Sequence, residues 1–374
     1  MAEKLATAVL ESMAEPQRDG DSAVATRRRD SALESRLLTR AVPRVPRLGF
    51  LGVGWIGRHR MECIARAGDA VVAAVADPSI DAVDAATTAL RDVGHQPERL
   101  SSLEELLEAE IDGLVIASPS ALHAEQAIAA LERGVAVFCQ KPLARTAEET
   151  RRVVDAARAA DRLLGVDLSY RFTEGMRRIR ELVRDGALGQ VYGIDLVFHN
   201  AYGPDKRWFY DPKLSGGGCV IDLGIHLVDL ALWTLGFPQV REVTSRLYAG
   251  GVPLRDSASQ VEDYAVARLD LANDATVQLS CSWNLPAGQD AVIAATFYGT
   301  QGGAALRNVN GSFYDFTAER FRGTAREMLA SPPDEWGGRA AVEWAHRLAG
   351  GAGFDAEAEH LVDVAGALDR VYGR

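Results

Sequence analysis

Cysteine is scarce in this chain. Cys63, Cys139, Cys219 and Cys281 are spread through 374 residues with no CxxC pair. That excludes a zinc knuckle or a disulfide framework and suits a reducing cytoplasm. Positive charge is in deficit: 41 Lys and Arg stand against 52 Asp and Glu, a net charge of -11. Such a field repels phosphate backbones and anionic bilayers, so neither nucleic acid nor a membrane is an expected partner. The apolar runs near the N-terminus are short, and SALESRLLTRAV is broken by charge, unlike a signal peptide or a membrane span. Internal repeats and low-complexity tracts are missing. What is present, 47% hydrophobic and 25% charged residues, is a globular composition long enough for two domains or one large one.

Three textures follow one another. Residues 1–46 mix charges of both signs with small residues and end at Pro43 and Pro46, as expected of a flexible arm outside the fold. From Arg47 to about residue 165, short apolar runs (RLGFLG, VVAAVAD, DGLVIAS, VAVFCQ) alternate with helical spacing. Continuously apolar strands are buried on both faces, which predicts a doubly wound α/β domain with a parallel sheet. From 166 to 374 the strands alternate (VYGIDLVFHNAY, AVIAATFYG), and EDYAVARLDL and ATVQLSCSWN flank an Ala-Asn-Asp turn. Alternation leaves one wet face, so the second domain is expected to be α+β with an antiparallel sheet and C-terminal helices packed back on the body.

Gly52-Val53-Gly54-Trp55-Ile56-Gly57 lies between the first expected strand and helix, where a dinucleotide-binding G-x-G-x-x-G must lie. Gly52 permits the tight turn, Gly54 lets a pyrophosphate approach the backbone, and Gly57 lets helix and strand pack closely, while the helix N-terminus supplies donors. A glycine-rich turn without a ligand is the plain alternative. Asp77 ends the second strand twenty residues after Gly57, placed to accept both ribose hydroxyls, and a 2'-phosphate there would meet its charge with no arginine following. NAD is therefore expected over NADP. The plain alternative for Asp77 is a turn residue before Pro78.

Lys141 follows the strand VAVFC in Gln140-Lys141-Pro142, at the carboxyl end of a parallel strand, over the crevice where ligands bind; a surface lysine at a strand end is the alternative. Further on, the run Gly216-Gly217-Gly218 leads into an apolar helix carrying Asp222, His226 and Asp229. At about 100° per residue these three share one face. They could form a helix cap with a core histidine, a metal site, or an acid–base group for alcohol oxidation. No second histidine lies nearby, and hydride chemistry needs no metal, so no metal is expected. Histidine suits a base at neutral pH, and Asp222 could hold its tautomer or grip a substrate hydroxyl.

The segments GFLGVGWIGRHR, ASPSALHAEQAIAALERGVAVFCQKPLA and GGGCVIDLGIHLVD, in this order and spacing, resemble those of the Gfo/Idh/MocA oxidoreductases, over about residues 47–320. The resemblance implies a Rossmann domain followed by an α+β substrate domain whose large open sheet forms a homodimer or homotetramer. It places the family's catalytic lysine on Lys141 and its Asp-x-x-x-His pair on Asp222 and His226. Gln140 departs from the family's Glu-Lys-Pro motif. Ser118, Pro119 and His123 would border the cofactor together with Trp55, Ile56, Gln140 and Lys141, and Tyr170, Arg171 and Trp208 the substrate together with Lys141, Asp222 and His226, while Tyr210 lies in a segment that borders cofactor or substrate. For Pro119, His123, Tyr170, Arg171, Trp208 and Tyr210, packing is an equal alternative. The expected function is NAD-dependent oxidation of a secondary hydroxyl of a sugar, cyclitol or related polyol, or reduction of the matching ketone. The rival readings are a glycoside hydrolase that uses NAD transiently and a non-catalytic dinucleotide sensor.

Overall fold

The structure, a computed structural model, describes residues 45–91 and 93–374. The expected arm lies outside the described residues, apart from Val45 and Pro46. Six strands, β1 (Arg47–Leu51), β2 (Val71–Ala76), β3 (Glu98–Leu100), β4 (Gly113–Ile116), β5 (Ala136–Cys139) and β6 (Leu164–Val166), form the first sheet. Their order is β3-β2-β1-β4-β5-β6 and every pairing is parallel, the doubly wound arrangement in which ligands bind beyond the carboxyl ends, where the strand order reverses. β4 and β5 are buried along their whole length because helices cover both faces.

The second sheet has nine strands in the order β15-β14-β13-β12-β7-β11-β10-β8-β9. These are β7 (Val191–Asn200), β8 (Val240–Ala249), β9 (Val252–Pro253), β10 (Tyr264–Leu271), β11 (Thr276–Ser282), β12 (Ala291–Gly299), β13 (Gly302–Asn308), β14 (Phe316–Arg322) and β15 (Ala325–Ala330). All pairings are antiparallel except β7–β11. β10 and β11 form the expected hairpin, with Asp274 at φ 64° in its turn. Alternation decides the faces: Ile194, Leu196 and Phe198 of β7 and Val277, Leu279 and Cys281 of β11 point inward onto the buried helix Ile225–Leu235. That helix ends an apolar stretch long enough to cross a membrane, but 89% of the stretch is buried, so it serves as the core of the second domain.

The boundary expected between residues 165 and 166 falls inside β6, and one later helix belongs to the first domain. Arg339–Ala349 packs Ala341, Trp344 and Ala345 against Phe50, Phe138 and Leu163. The texture of the chain could not reveal this, because helical spacing marks an apolar face without saying which sheet receives it. The Trp344 ring fits over two strand glycines, Gly113 and Gly165, where any Cβ would lie under 3 Å from it. Gly113→Ala should therefore destabilise the protein by about 1–3 kcal/mol through overpacking. Urea denaturation compared with wild type measures it.

Candidate active site

The helix Trp55–Ala67 begins at Gly54, whose side has no capping hydrogen bond, so its first N–H groups are free for a ligand. Gly52 has φ 87°, and a Cβ at Gly57 would lie 2.1 Å from the Gly52 carbonyl oxygen, whereas a Cβ at Gly54 would project into open space. The residues therefore fit a dinucleotide: two glycines close the turn and the third leaves room at the helix start. Asp77 Oδ2 accepts from Val53 N at 2.8 Å and Oδ1 from Ser79 N at 2.8 Å, which pins the carboxylate beside the glycine turn with lone pairs left over.

A cavity of about 820 Å³ runs from this helix start across to the second domain. It is lined by Gly54, Trp55, Ile56, Ser118, Pro119, His123, Gln140 and Lys141 on one side, and by Tyr170, Trp208, Asp222 and His226 on the other. Lys141 Nζ donates to Asp222 Oδ1 at 2.6 Å and to the Asp222 carbonyl at 2.8 Å. An ammonium has three donors, so one remains for a substrate oxygen. Trp283 Nε1 donates to Asp222 Oδ2 at 3.0 Å, fixing the carboxylate from its other side. His226 Nδ1 is sealed from solvent without a hydrogen-bond partner, which leaves Nε2 as the nitrogen that can meet a ligand. Burial, then the charges of Lys141 and Arg60, hold the imidazole well below its ordinary pKa, so it is neutral at pH 7 and able to accept a proton.

Several expectations are corrected. Asp222 pairs with Lys141 instead of fixing the His226 tautomer. The three ionisable groups do not share one regular α-helical face, because Val220–Gly224 is a π turn before the α-helix begins. Asp229 is 2% exposed and paired with Arg171, whose Nε reaches Oδ2 at 2.8 Å. The three therefore do not converge as a metal donor set, and Arg171 is taken away from the cavity into a buried ion pair. Tyr210 is 46% exposed and donates to the Pro204 carbonyl. His123 lines the cavity as expected; burial holds it below its ordinary pKa, and its ring lies between the Ser118 and Pro142 carbonyls, 2.7 Å from each, where the neutral imidazole donates its single N–H to one of them.

Residues 46–168 match the family model for the oxidoreductase family with an NAD-binding Rossmann fold, GFO_IDH_MocA. Residues 176–305 match the GFO/IDH/MocA C-terminal domain. The chain belongs to the Gfo/Idh/MocA oxidoreductase family. The rhizopine catabolism protein MocA of Rhizobium meliloti is 31% identical over 265 residues, 70% of this chain and 78% of that protein. D-glucoside 3-dehydrogenase of Escherichia coli (strain K12) is 32% identical over 211 residues, 54% of this chain and 60% of the relative's own length. A levoglucosan dehydrogenase solved with NADH and levoglucosan shares the fold, with a TM-score of 0.73 at 21% identity, covering 88% of this chain and 96% of that one.

Two groups at this Gfo/Idh/MocA site escaped sequence reasoning. Asp167, immediately after β6, receives Arg60 Nε and Gln140 Nε2 on one oxygen, both at 2.6 Å. The signal was available, since Asp167 follows LLGV much as Asp77 follows VVAAVA. Glu262, wholly buried, accepts from Gly218 N (3.1 Å), Val220 N (2.8 Å) and the Tyr372 hydroxyl (2.7 Å). No spacing could have found it, because its partners lie 42 to 110 residues away. It closes the glycine run that leads into the helix of Asp222 and His226.

Proposed function

We propose that this protein is an NAD-dependent dehydrogenase of a secondary hydroxyl in a sugar, cyclitol or related polyol, working in either direction. The observation that carries this reading is the convergence of Lys141, Asp222 and His226 in one cavity with a free helix N-terminus. Bound at the glycine turn, the nicotinamide cofactor supplies a hydride acceptor or donor. The Lys141 ammonium, held by Asp222, donates its remaining N–H to the reacting oxygen and steadies negative charge developing there. His226, kept neutral, takes the hydroxyl proton. Trp208 and Tyr170 wall the substrate end of the same cavity and would exclude water from it.

The test incubates the purified protein with NAD and a panel of cyclitols, aldoses and glycosides, following both NADH absorbance and products. NADH formation with a ketone product is expected. Glycoside cleavage without net NADH would replace this reading by the transient-oxidation hydrolase, and dinucleotide binding without turnover across the panel by the sensor.

The preference for NAD over NADP rests on Asp77. Wild-type protein should bind NAD more tightly by calorimetry, and Asp77→Ser should narrow the gap by removing both an acceptor for the ribose and the repulsion of a 2'-phosphate. A wild-type preference for NADP would refute that role. The outer face of the nine-stranded sheet forms a trough of about 690 Å³ lined by Asp195, Val197, Thr244, Arg246, Arg268 and Gln278; packed against a second copy, this face would give a homodimer or homotetramer, measurable by light scattering.

A further inference from the structure

We propose that Asp167 is a positioning residue that supplies the negative charge on the cofactor side of the cavity and, through Gln140 and Arg60, biases the site toward oxidised nicotinamide. The proposal rests on the dehydrogenase reading above. Asp167 stands at the carboxyl end of β6, where the sheet presents groups to the crevice, and only 1% of it is exposed. Its Oδ2 receives Gln140 Nε2 and Arg60 Nε, each at 2.6 Å. Its Oδ1 is sealed and has no partner. One carboxylate thus ties together the helix that starts at the glycine turn, which carries Arg60, and the end of β5, where Gln140 precedes Lys141. Arg60, Gln140 and Asp167 all line the cavity that holds Lys141 and His226.

The charges in the cavity are arranged as pairs. Lys141 is offset by Asp222, and Lys206 has Asp205 beside it. Arg60, 7% exposed at its side chain, has Asp167. Without the Asp167 charge, Arg60 would be an unpaired buried cation lining the cavity that the cofactor would enter. An oxidised nicotinamide carries a positive charge and the reduced ring carries none, so an uncompensated Arg60, itself buried, would penalise the oxidised form selectively. Neutral Gln140 completes the arrangement. A carboxylate at position 140 would lie against Asp167, and two such groups in contact share a proton, whereas an amide donates to Asp167 and leaves its charge intact.

The experiment measures dissociation constants of NAD and NADH, by calorimetry and by fluorescence, for wild type, D167N and the double variant D167N/Q140E. D167N is expected to raise the ratio of the NAD to the NADH dissociation constant by about tenfold. The double variant, which returns one carboxylate from the neighbouring strand, is expected to bring the ratio back to within about twofold of wild type, as one restored charge should. A merely structural role for Asp167 would weaken both ligands together and would not be rescued by Q140E. An unchanged ratio in D167N, or a double variant still displaced from wild type, overturns the proposal. If D167N does not fold, the double variant alone decides; if neither folds, Asp167 is a support of the fold and the proposal fails. Wild-type protein that binds neither NAD nor NADH would instead refute the dehydrogenase reading on which the inference stands.

Discussion

His226→Ala and Lys141→Ala are each expected to lower turnover by about a hundredfold or more while leaving the dissociation constant of the cofactor little changed. The two residues act on the same substrate oxygen, one by removing its proton and the other by stabilising its charge, and both contribute mainly in the transition state. Steady-state rates and cofactor titrations on both variants measure the effect. Near wild-type turnover in either variant would return that residue to a packing role. The pH dependence follows from the same geometry. Because burial, Lys141 and Arg60 hold His226 well below its ordinary value, kcat/KM should not show an acid limb near the usual histidine pKa of about 6.5, but only at lower pH. The linkage has a definite sign. Between the depressed folded value and about 6.5 the unfolded chain binds the proton that folded His226 refuses, so the His226 contribution to stability falls as pH drops through that window.

Glu262→Ala is expected to cost at least about 3 kcal/mol of stability, since it strands the Gly218 and Val220 N–H groups and the Tyr372 hydroxyl in an interior without water. Turnover should fall with it, because these contacts fix the start of the helix that presents Asp222 and His226. Glu262→Gln keeps a carbonyl acceptor and should be milder on both counts. Thermal or chemical unfolding, together with rates once a substrate is known, checks both variants. A Glu262→Ala protein as stable as wild type would show that the glycine run is held by its own turns.

The contrast between Glu262 and Lys141 shows how much of the site was legible in the sequence. Lys141, Asp222 and the glycine turn sit where regular elements end, and element ends can be read from apolar runs and glycines. Their placement in one cavity follows from the doubly wound sheet. The alternating strands of the second domain were readable for the same reason, through Ala272-Asn273-Asp274 and the period of two on either side. What could not be read is set by long-range partners. Asp229 looked like a third member of the polar stripe until Arg171, 58 residues earlier, took it up. The π turn at Val220–Gly224 shifts the phase that a regular 100° step assumes, so Asp222 turns to Lys141 and Trp283 while His226 is left without a protein partner on Nδ1.

The packing of Trp344 on the first sheet has a consequence for synthesis. β1 to β6 are complete once residue 166 has been made, yet the apolar cluster around Phe50 and Phe138, to which Met61, Ile64, Val83 and Leu90 contribute early, is completed by Ala340, Ala341, Trp344 and Ala345. For the time needed to translate nearly 180 further residues, roughly ten to thirty seconds at common elongation rates, the nascent nucleotide-binding half exposes an apolar surface. Neither half can complete its packing before the C-terminal residues emerge, Ala340 to Ala345 for the first and Val364 to Val371 for the second, so a ribosome-bound chain stopped at residue 330 should be protease-sensitive in both halves, whereas one stopped beyond the exit tunnel after residue 374 should not.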